Sequence, residues 1–269
     1  MVDKSNATST SETLDAGNNP LFVTALARGL AILRCFTQHT PELGTADLSR
    51  MTGMAQPTIW RLCYTLRELG YLTQTSGGKK LRLGIPILGL GYALLADLDI
   101  AHLALPHMRQ LSETIQESVS LAAMDKLEII FLQRCEAPSM IYSGFPVGGR
   151  SRITRAPAGW AMLAGLSPED RATIVADIKL VDPSTWANME AHISAAIEQY
   201  AEVGFVTNFG KVQSEFHAVS VPIRSPDGKQ IFALSCVGLR SRLSPEKMLL
   251  FGALLRQTAE TISLGLRNR

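Results

Sequence analysis

The sequence predicts an α+β protein in two parts, a small helical unit with a hairpin and a larger unit built on an antiparallel sheet. Three observations carry this. Residues 45–82 read as helix, tight turn, helix and a short glycine-rich hairpin. Beyond residue 99, segments of strand character gather as hairpins between amphipathic helices, the pattern of an antiparallel sheet. The chain has 269 residues, 46% of them hydrophobic, which is enough apolar material for two cores.

The elements follow in order. Residues 1–20 are polar and rich in Ser, Thr and Asn, so a disordered tail is expected and a signal peptide is not. The first unit is expected over 21–83. Leu26, Gly29, Leu30, Leu33 and Phe36 mark a helix over about 23–38, and Pro41 and Gly44 close the connection after it. Thr45 reads as an N-cap with Asp47 in the first turn of a short helix ending near Met51. Gly53 occupies the turn, where a positive φ suits glycine. Pro57 fits the first helical position of the next helix, which Gly70 ends. Its apolar residues Ile59, Leu62, Cys63, Leu66 and Leu69 recur at helical spacing, so they share one face. Two strands, 71–75 and 80–83, flank the loop Ser76-Gly77-Gly78-Lys79.

An apolar linker helix is expected over 84–98, and the second unit over 99–269. That unit should open with a helix carrying Leu103, Leu111 and Ile115, bent at Pro106. Strands are expected over 118–124, 129–134 and 140–145. A glycine-rich basic segment then turns into a helix near Ala156, with further helices over 168–178 and 189–203. A hairpin, 216–223 with 230–237, closes over Ser225-Pro226-Asp227-Gly228, and a long helix over 245–266 ends the chain. No apolar stretch reaches membrane-spanning length, so a cytoplasmic protein is expected.

Net charge is only +2, but its distribution is uneven. Residues 21–97 hold eight Lys or Arg against four acids, whereas 98–269 are balanced. The excess lies where a polyanion would reward it through counterion release. The outward face of the second helix carries Thr58, Trp60, Arg61, Tyr64, Thr65 and Arg67. One buried face and one face of donors is what a DNA-reading helix requires. Gln56 and Arg61 suit adenine and guanine edges, with Thr58 beside them. Lys79, Lys80 and Arg82 on the hairpin suit phosphates, and Arg28 and Arg50 are further phosphate candidates.

Arg152, Thr154 and Arg155 precede Ala156-Pro157-Ala158-Gly159. Small residues at a helix start let a ligand approach backbone N–H groups, and that end of a helix favours anions. Adjacent guanidinium groups would suit a carboxylate. Catalytic patterns are missing. Cys35, Cys63, Cys135 and Cys236 form no CxxC, and His39, His102, His107, His192 and His217 have no metal-ligand spacing. There is no GxSxG, no GxxxxGK[ST] and no GxGxxG after a strand. No metal, no cofactor and no enzymatic activity are expected.

Three runs match a known family. TALARGLAILRCF, LSRMTGMAQPTIWRLCYTLRELGYL and GFVTNFGKVQSEFHAVSVPIRSPDGKQIFALSCVG resemble the opening helix, the helix-turn-helix and the C-terminal signature of IclR-type (isocitrate lyase regulator type) transcriptional regulators. The resemblance covers about 22–265. It implies a winged helix-turn-helix, a linker helix and a GAF-like effector domain, working as a homodimer or homotetramer on double-stranded operator DNA. Thr45, with Trp60 and Tyr64 of the outward face, completes the DNA-binding candidates. The resemblance also implies effector contacts at Asn208, Phe209, His217, Ala218, Ser235 and Cys236 beside the 152–159 segment, with His217 and Ser235 facing one pocket. From the basic helix start, and not from the resemblance, the effector is expected to be a small organic acid, with Phe209 and Phe145 as apolar walls. The chain departs from the family at Trp60, where His is common, and at Ala218, where Cys is common.

Two other readings compete. A GAF-like enzyme, such as a cysteine-based sulfoxide reductase, would need Cys135 and Cys236 to converge in one pocket. A pure protein–protein module would use the winged helix as a dimer surface, against which the basic hairpin argues, because interface cores are depleted in Lys.

Overall fold

The computed structural model describes residues 19–97, 99–137 and 146–267. The tail expected over 1–20, apart from its last two residues, lies outside them, as do Phe145 and the strand expected over 140–145. The chain divides into two compact units, Met1–Ala96 and Asp97–Arg269.

The first unit packs α1 (Thr24–Arg34), α2 (Thr45–Thr52) and α3 (Gln56–Glu68) around one apolar cluster. Ile32, Leu48 and Ile59 are its fully buried centre. α1 ends about four residues earlier than its periodicity predicts. Thr37 and Thr40 pair across a turn, and the Thr40 hydroxyl donates to the Cys35 carbonyl at 3.1 Å, so local side-chain bonds compete with another helical turn. The cap of α2 is Gly44, not Thr45. Leu43 exchanges two backbone bonds with Leu81, of 3.0 and 2.9 Å, which holds the chain extended through Gly44 and moves the cap back one residue. The Gly44 N–H then donates to Asp47 Oδ2 at 3.1 Å. Gly53 has φ +71, the left-handed conformation expected of the turn. α3 starts at Gln56 with Ala55 as its cap, so Pro57 stands second, where no intrahelical N–H bond is lost.

β1 (Leu72–Gln74) and β2 (Leu81–Leu83) pair antiparallel, Thr73 opposite Arg82. The hairpin joins Leu43 as a third short edge, which completes a winged helix-turn-helix. α4 (Pro86–Asp97) follows, with Leu88, Leu90 and Tyr92 exposed, as is Ile85 before it.

The second unit opens with α5 (Asp99–Ile115), which contains Pro106. β3 (Ser118–Asp125), β4 (Glu128–Cys135) and β5 (Arg150–Arg152) are followed by a single 3-10 turn, Ile153–Arg155. Next come α6 (Pro157–Gly165), α7 (Pro168–Val181), α8 (Pro183–Val203), β6 (Val206–Phe209), β7 (Phe216–Arg224), β8 (Ile231–Leu239) and α9 (Pro245–Arg267). The six strands run β5-β4-β3-β8-β7-β6, every pair antiparallel. Each face has its own core. Val119, Leu121, Val219, Val221, Leu234 and Cys236 pack with α5 and α9. Ala122, Ile129, Val206, Ile231 and Ala233 pack with α6 and α8, around Trp160 and Ile193. No helix among the described residues is long and apolar enough to cross a membrane.

Candidate nucleic-acid interface and effector site

α3 buries Ile59 and Cys63 and half-buries Leu62 and Leu66, so the helical period turns Gln56, Trp60, Arg61, Tyr64 and Arg67 outward. Trp60 and Tyr64, one turn apart, stack with ring centroids 5.9 Å apart and 20° between planes. Thr58 is half-buried at the margin of this face. Burial raises the Cys63 thiol to about 11, in keeping with a core residue. On the wing Lys79, Lys80 and Arg82 are exposed, and the Arg82 Nε donates to Thr73 at 3.4 Å. Gly78, with φ +67, closes the turn by donating to the Thr75 carbonyl at 2.8 Å. Among the described residues Arg61, Arg67, Lys79, Lys80 and Arg82 make no ion pair, which leaves five exposed cations for phosphates or base edges. Arg28 and Thr45 are half-buried, and Arg50 is paired with Asp47 at 2.8 Å.

The effector candidates do not form one pocket. In the β7–β8 register Ser220 faces Ser235 and His217 faces Gly238, so His217 and Ser235 have opposite parity and point to opposite faces. His217 lies on the α9 side, where its Nδ1 is 2.7 Å from the Leu243 carbonyl and its ring meets Phe209 edge-on at 5.5 Å. Cys236 is on that side too. Asn208, Ala218 and Ser235 are on the other face.

The 152–159 segment is set apart again. β5 and β6 are the two edges of the sheet, five strand spacings or roughly 24 Å apart along it. Arg152 forms an ion pair with Asp182, the N-cap of α8. Burial would raise the Asp182 carboxyl, but hydrogen bonds from Thr185 and Arg152 outweigh it and hold the group below its usual range. Arg155 is exposed and donates to the Thr185 hydroxyl at 3.4 Å. The Thr154 carbonyl accepts from Trp160 Nε1 at 2.9 Å. Ala156 and Ala158 are buried beside Gly159, where two backbones meet. A Cβ on Gly159 would lie 2.7 Å from the Ile153 Cα, so the glycine serves helix packing, not ligand approach.

The structure brings a different set together. One row across β6, β7, β8 and β3 is Asn208, Ala218, Val237 and Ser118. The adjoining row is Val206, Ser220, Ser235, Ser120 and, on β4, Arg134. α6 covers the other half of this face, where Gly165 packs against Pro222 and Ile231. Asn208, Ser118, Ser120, Ser220 and Ser235 are all buried. The Ser235 hydroxyl is 2.8 Å from that of Ser220. Asn208 Oδ1 accepts from the Lys211 N–H at 3.1 Å, while Asn208 Nδ2 and Ser118 Oγ are buried without a hydrogen-bond partner. Such groups are costly unless something satisfies them, so this polar floor is the better candidate for a ligand surface. The Arg134 side chain, only 11% exposed, bonds Glu136 Oε1 at 3.1 Å and brings a guanidinium to the end of the row. Sequence reasoning missed Ser118, Ser120, Ser220 and Arg134. A run of buried-parity serines on three paired strands was the available signal.

Cys135 and Cys236 flank Val119 on the two strands beside β3, two strand spacings or roughly 10 Å apart. That is too far for a disulfide. Burial raises both thiols, Cys236 further through the nearby Glu117 charge. Buried, protonated thiols do not favour the cysteine-enzyme reading. Among the described residues no cluster of His, Cys, Asp or Glu could hold a metal ion.

A winged helix-turn-helix with a cationic outer face, joined to a separate sheet-and-helix unit, defines a DNA-binding transcriptional regulator. Residues 25–76 match the family described as "IclR helix-turn-helix domain", and residues 92–264 match "Bacterial transcriptional regulator IclR C-terminal". The chain belongs to the IclR family of bacterial transcriptional regulators. It is 28% identical over 201 residues to the HTH-type transcriptional regulator TsaQ1/TsaQ2 of Comamonas testosteroni, covering 74% of this chain and 72% of that one. A solved IclR family regulator from Brucella abortus superposes with a TM-score of 0.83 at 30% identity, over 94% of this chain and 97% of the other. An IclR homolog from Microbacterium hydrocarbonoxydans, solved in complex with 4-hydroxybenzoate, gives a TM-score of 0.72 at 26% identity, over 91% and 100%.

Proposed function

We propose that this chain is a ligand-responsive regulator of a catabolic operon, acting in the cytoplasm as a homodimer or homotetramer on a two-fold operator. Residues 21–83 read the DNA, 84–98 link, and 99–269 bind the effector and oligomerise. The observation that carries the DNA part is the exposed face of α3 beside the basic wing. Exposed Leu26 and Leu30 on α1, with Ile85 just before α4 and Leu88 and Tyr92 on it, support self-association, since exposed apolar helix faces favour a partner. The dimer would place half-sites about one helical turn apart or a multiple of it. Footprinting upstream of its own and adjacent genes tests this; folded protein that protects no site there would refute it.

Two substitutions separate base readers from phosphate contacts. Arg61→Ala is expected to lose about 1–3 kcal/mol of specific binding per half-site. Lys80→Ala is expected to weaken specific and random duplex alike, and to reduce the salt slope by about one unit. If both variants behave like Lys80→Ala, Arg61 does not read a base.

The effector is a small organic acid bound over the Ser118, Ser120, Asn208, Ser220 and Ser235 floor. The Arg134 guanidinium faces its carboxylate at the β4 end of the floor, while Asn208 Nδ2, four strand spacings away on β6, donates to a polar group at the acid's other end. The relative solved with 4-hydroxybenzoate makes an aromatic acid the first class to test. Binding would shift the balance between two dimer arrangements with different spacing of the DNA helices, by the ligand's differential affinity for them. Calorimetry with paired acidic and neutral metabolites checks this. Arg134→Met is expected to weaken the acid at least about tenfold, in line with a lost charge-assisted hydrogen bond, and Asn208→Ala by the smaller factor of a neutral one. Arg155→Ala is expected to leave affinity unchanged. Tight binding of a neutral compound, indifferent to Arg134→Met, would sink the carboxylate assignment and leave the DNA reading standing.

A further inference from the structure

We propose that Trp60 and Tyr64 form an apolar reading element that packs against thymine C5-methyl groups in the major groove. The proposal rests on the DNA-binding reading of α3 and adds the base chemistry it recognises. Trp60 is 64% exposed and Tyr64 51% exposed, although the helix that carries them is anchored on its other side. Stacked at 5.9 Å and nearly parallel, the two rings present one broad apolar surface instead of two independent side chains. Exposed surface of that size calls for a partner.

Charge selects a duplex as the occupant. Arg61 lies between the two aromatics in sequence and Arg67 follows one turn on. The wing of the same unit adds Lys79, Lys80 and Arg82, all exposed. A protein interface core would be depleted in such lysines, whereas phosphates on either side of a groove would match them. Within the major groove, the apolar group on a base edge is the thymine methyl. Arg61 then supplies hydrogen bonds while the ring pair beside it excludes water from the methyl.

The test uses the full-length protein. Its preferred half-site is first selected from a random duplex library. Each thymine is then replaced by deoxyuridine, which removes the methyl and leaves the hydrogen-bonding groups in place. At one or two thymines per half-site, the wild type is expected to lose about fourfold in affinity per methyl, the effect of one buried methyl-sized group. Trp60→Ala and Tyr64→Ala should abolish that difference, Trp60→Phe should keep it, and Arg61→Ala should keep it while weakening binding overall. A wild type that binds its site tightly yet ignores every thymine-to-deoxyuridine exchange would overturn the proposal, as would undiminished methyl sensitivity in Trp60→Ala. Failure to select any duplex would instead refute the DNA reading itself, and the proposal with it.

Discussion

Gly84→Ala is expected to detach the wing from the end of α3 and to abolish specific DNA binding. Gly84 follows β2, and its N–H donates to the Tyr71 carbonyl at 2.9 Å. A Cβ there would fall inside the van der Waals surface of the Gly70 carbonyl oxygen and 3.3 Å from the Tyr71 carbonyl carbon. Both obstacles are backbone, so neither can swing aside as a flexible side chain would. Gly70 itself has φ +77 and has little freedom to move. The cost should reach the upper end of overpacking effects, about 3 kcal/mol. Hydrogen exchange is the check. Amides over 56–83 should lose protection while those over 99–137 keep it. Gly77→Ala is the control, since a Cβ there meets nothing within 4 Å. Equal protection in Gly84→Ala and wild type would mean that the backbones are not so closely apposed.

The DNA-binding unit was largely legible because its signals are local. The apolar spacing of Ile59, Leu62, Cys63 and Leu66 sets which face of α3 is buried, and that fixes where Trp60, Arg61 and Tyr64 point. Gly53 announced its own conformation. The errors there have local causes as well. Thr45 looked like a cap, but the Leu43–Leu81 bridge placed the extended residue at Gly44. Two short elements were not foreseen. β5, with three residues, and β6, with four, are too brief for an alternating pattern to stand out, and each exists through pairing to a longer neighbour.

The effector site was less legible because it depends on parity between distant strands. Arg224 pairs with Ile231 at the tip of the hairpin, and every further pair follows by counting inward. Counting puts Ser235 opposite Ser220 and leaves His217, three residues from Ser220, on the other face. A single residue's error in register inverts such an assignment. The sequence did contain that count for β7 and β8. The order of strands it did not contain, since it is set by long-range pairing. That order sends Arg152 to one edge and Asn208 to the other, and it brings Ser118 and Ser120 beside Ser235. Chemical type misled in the same region. Arginines next to small residues resembled an anion site, whereas Arg152 holds Asp182 and Gly159 admits the Ile153 backbone.

Arg242→Met is expected to destabilise the second unit by about 3 kcal/mol near neutral pH, and by less as the pH falls. Glu117, the residue before β3, is buried, its side chain 5% exposed, with Oε1 held by Arg242 Nε at 3.1 Å and Oε2 without a partner. Arg242 also donates to the Gln116 carbonyl at 3.1 Å, so it ties the α5–β3 junction to the loop before α9. Burial pushes the Glu117 carboxyl above its ordinary range, while Arg242 and Lys247 pull it back. Removing Arg242 leaves a buried charge with less compensation. The cost belongs at the lower end for a broken buried pair, because Arg242 is 36% exposed. The sign in pH follows from the direction of the shift. Glu117 binds its proton more tightly folded than unfolded, and more so in the variant. The variant's stability is therefore fully present below the unfolded value of about 4.3 and lost as pH rises through the raised folded value. Urea midpoints near pH 5 and pH 8 should show the smaller deficit at the lower pH, and adding Glu117→Gln should flatten that dependence and recover part of the loss. A deficit equal at both pH values would mean that Arg242 acts through the Gln116 carbonyl and packing, and not through the Glu117 charge.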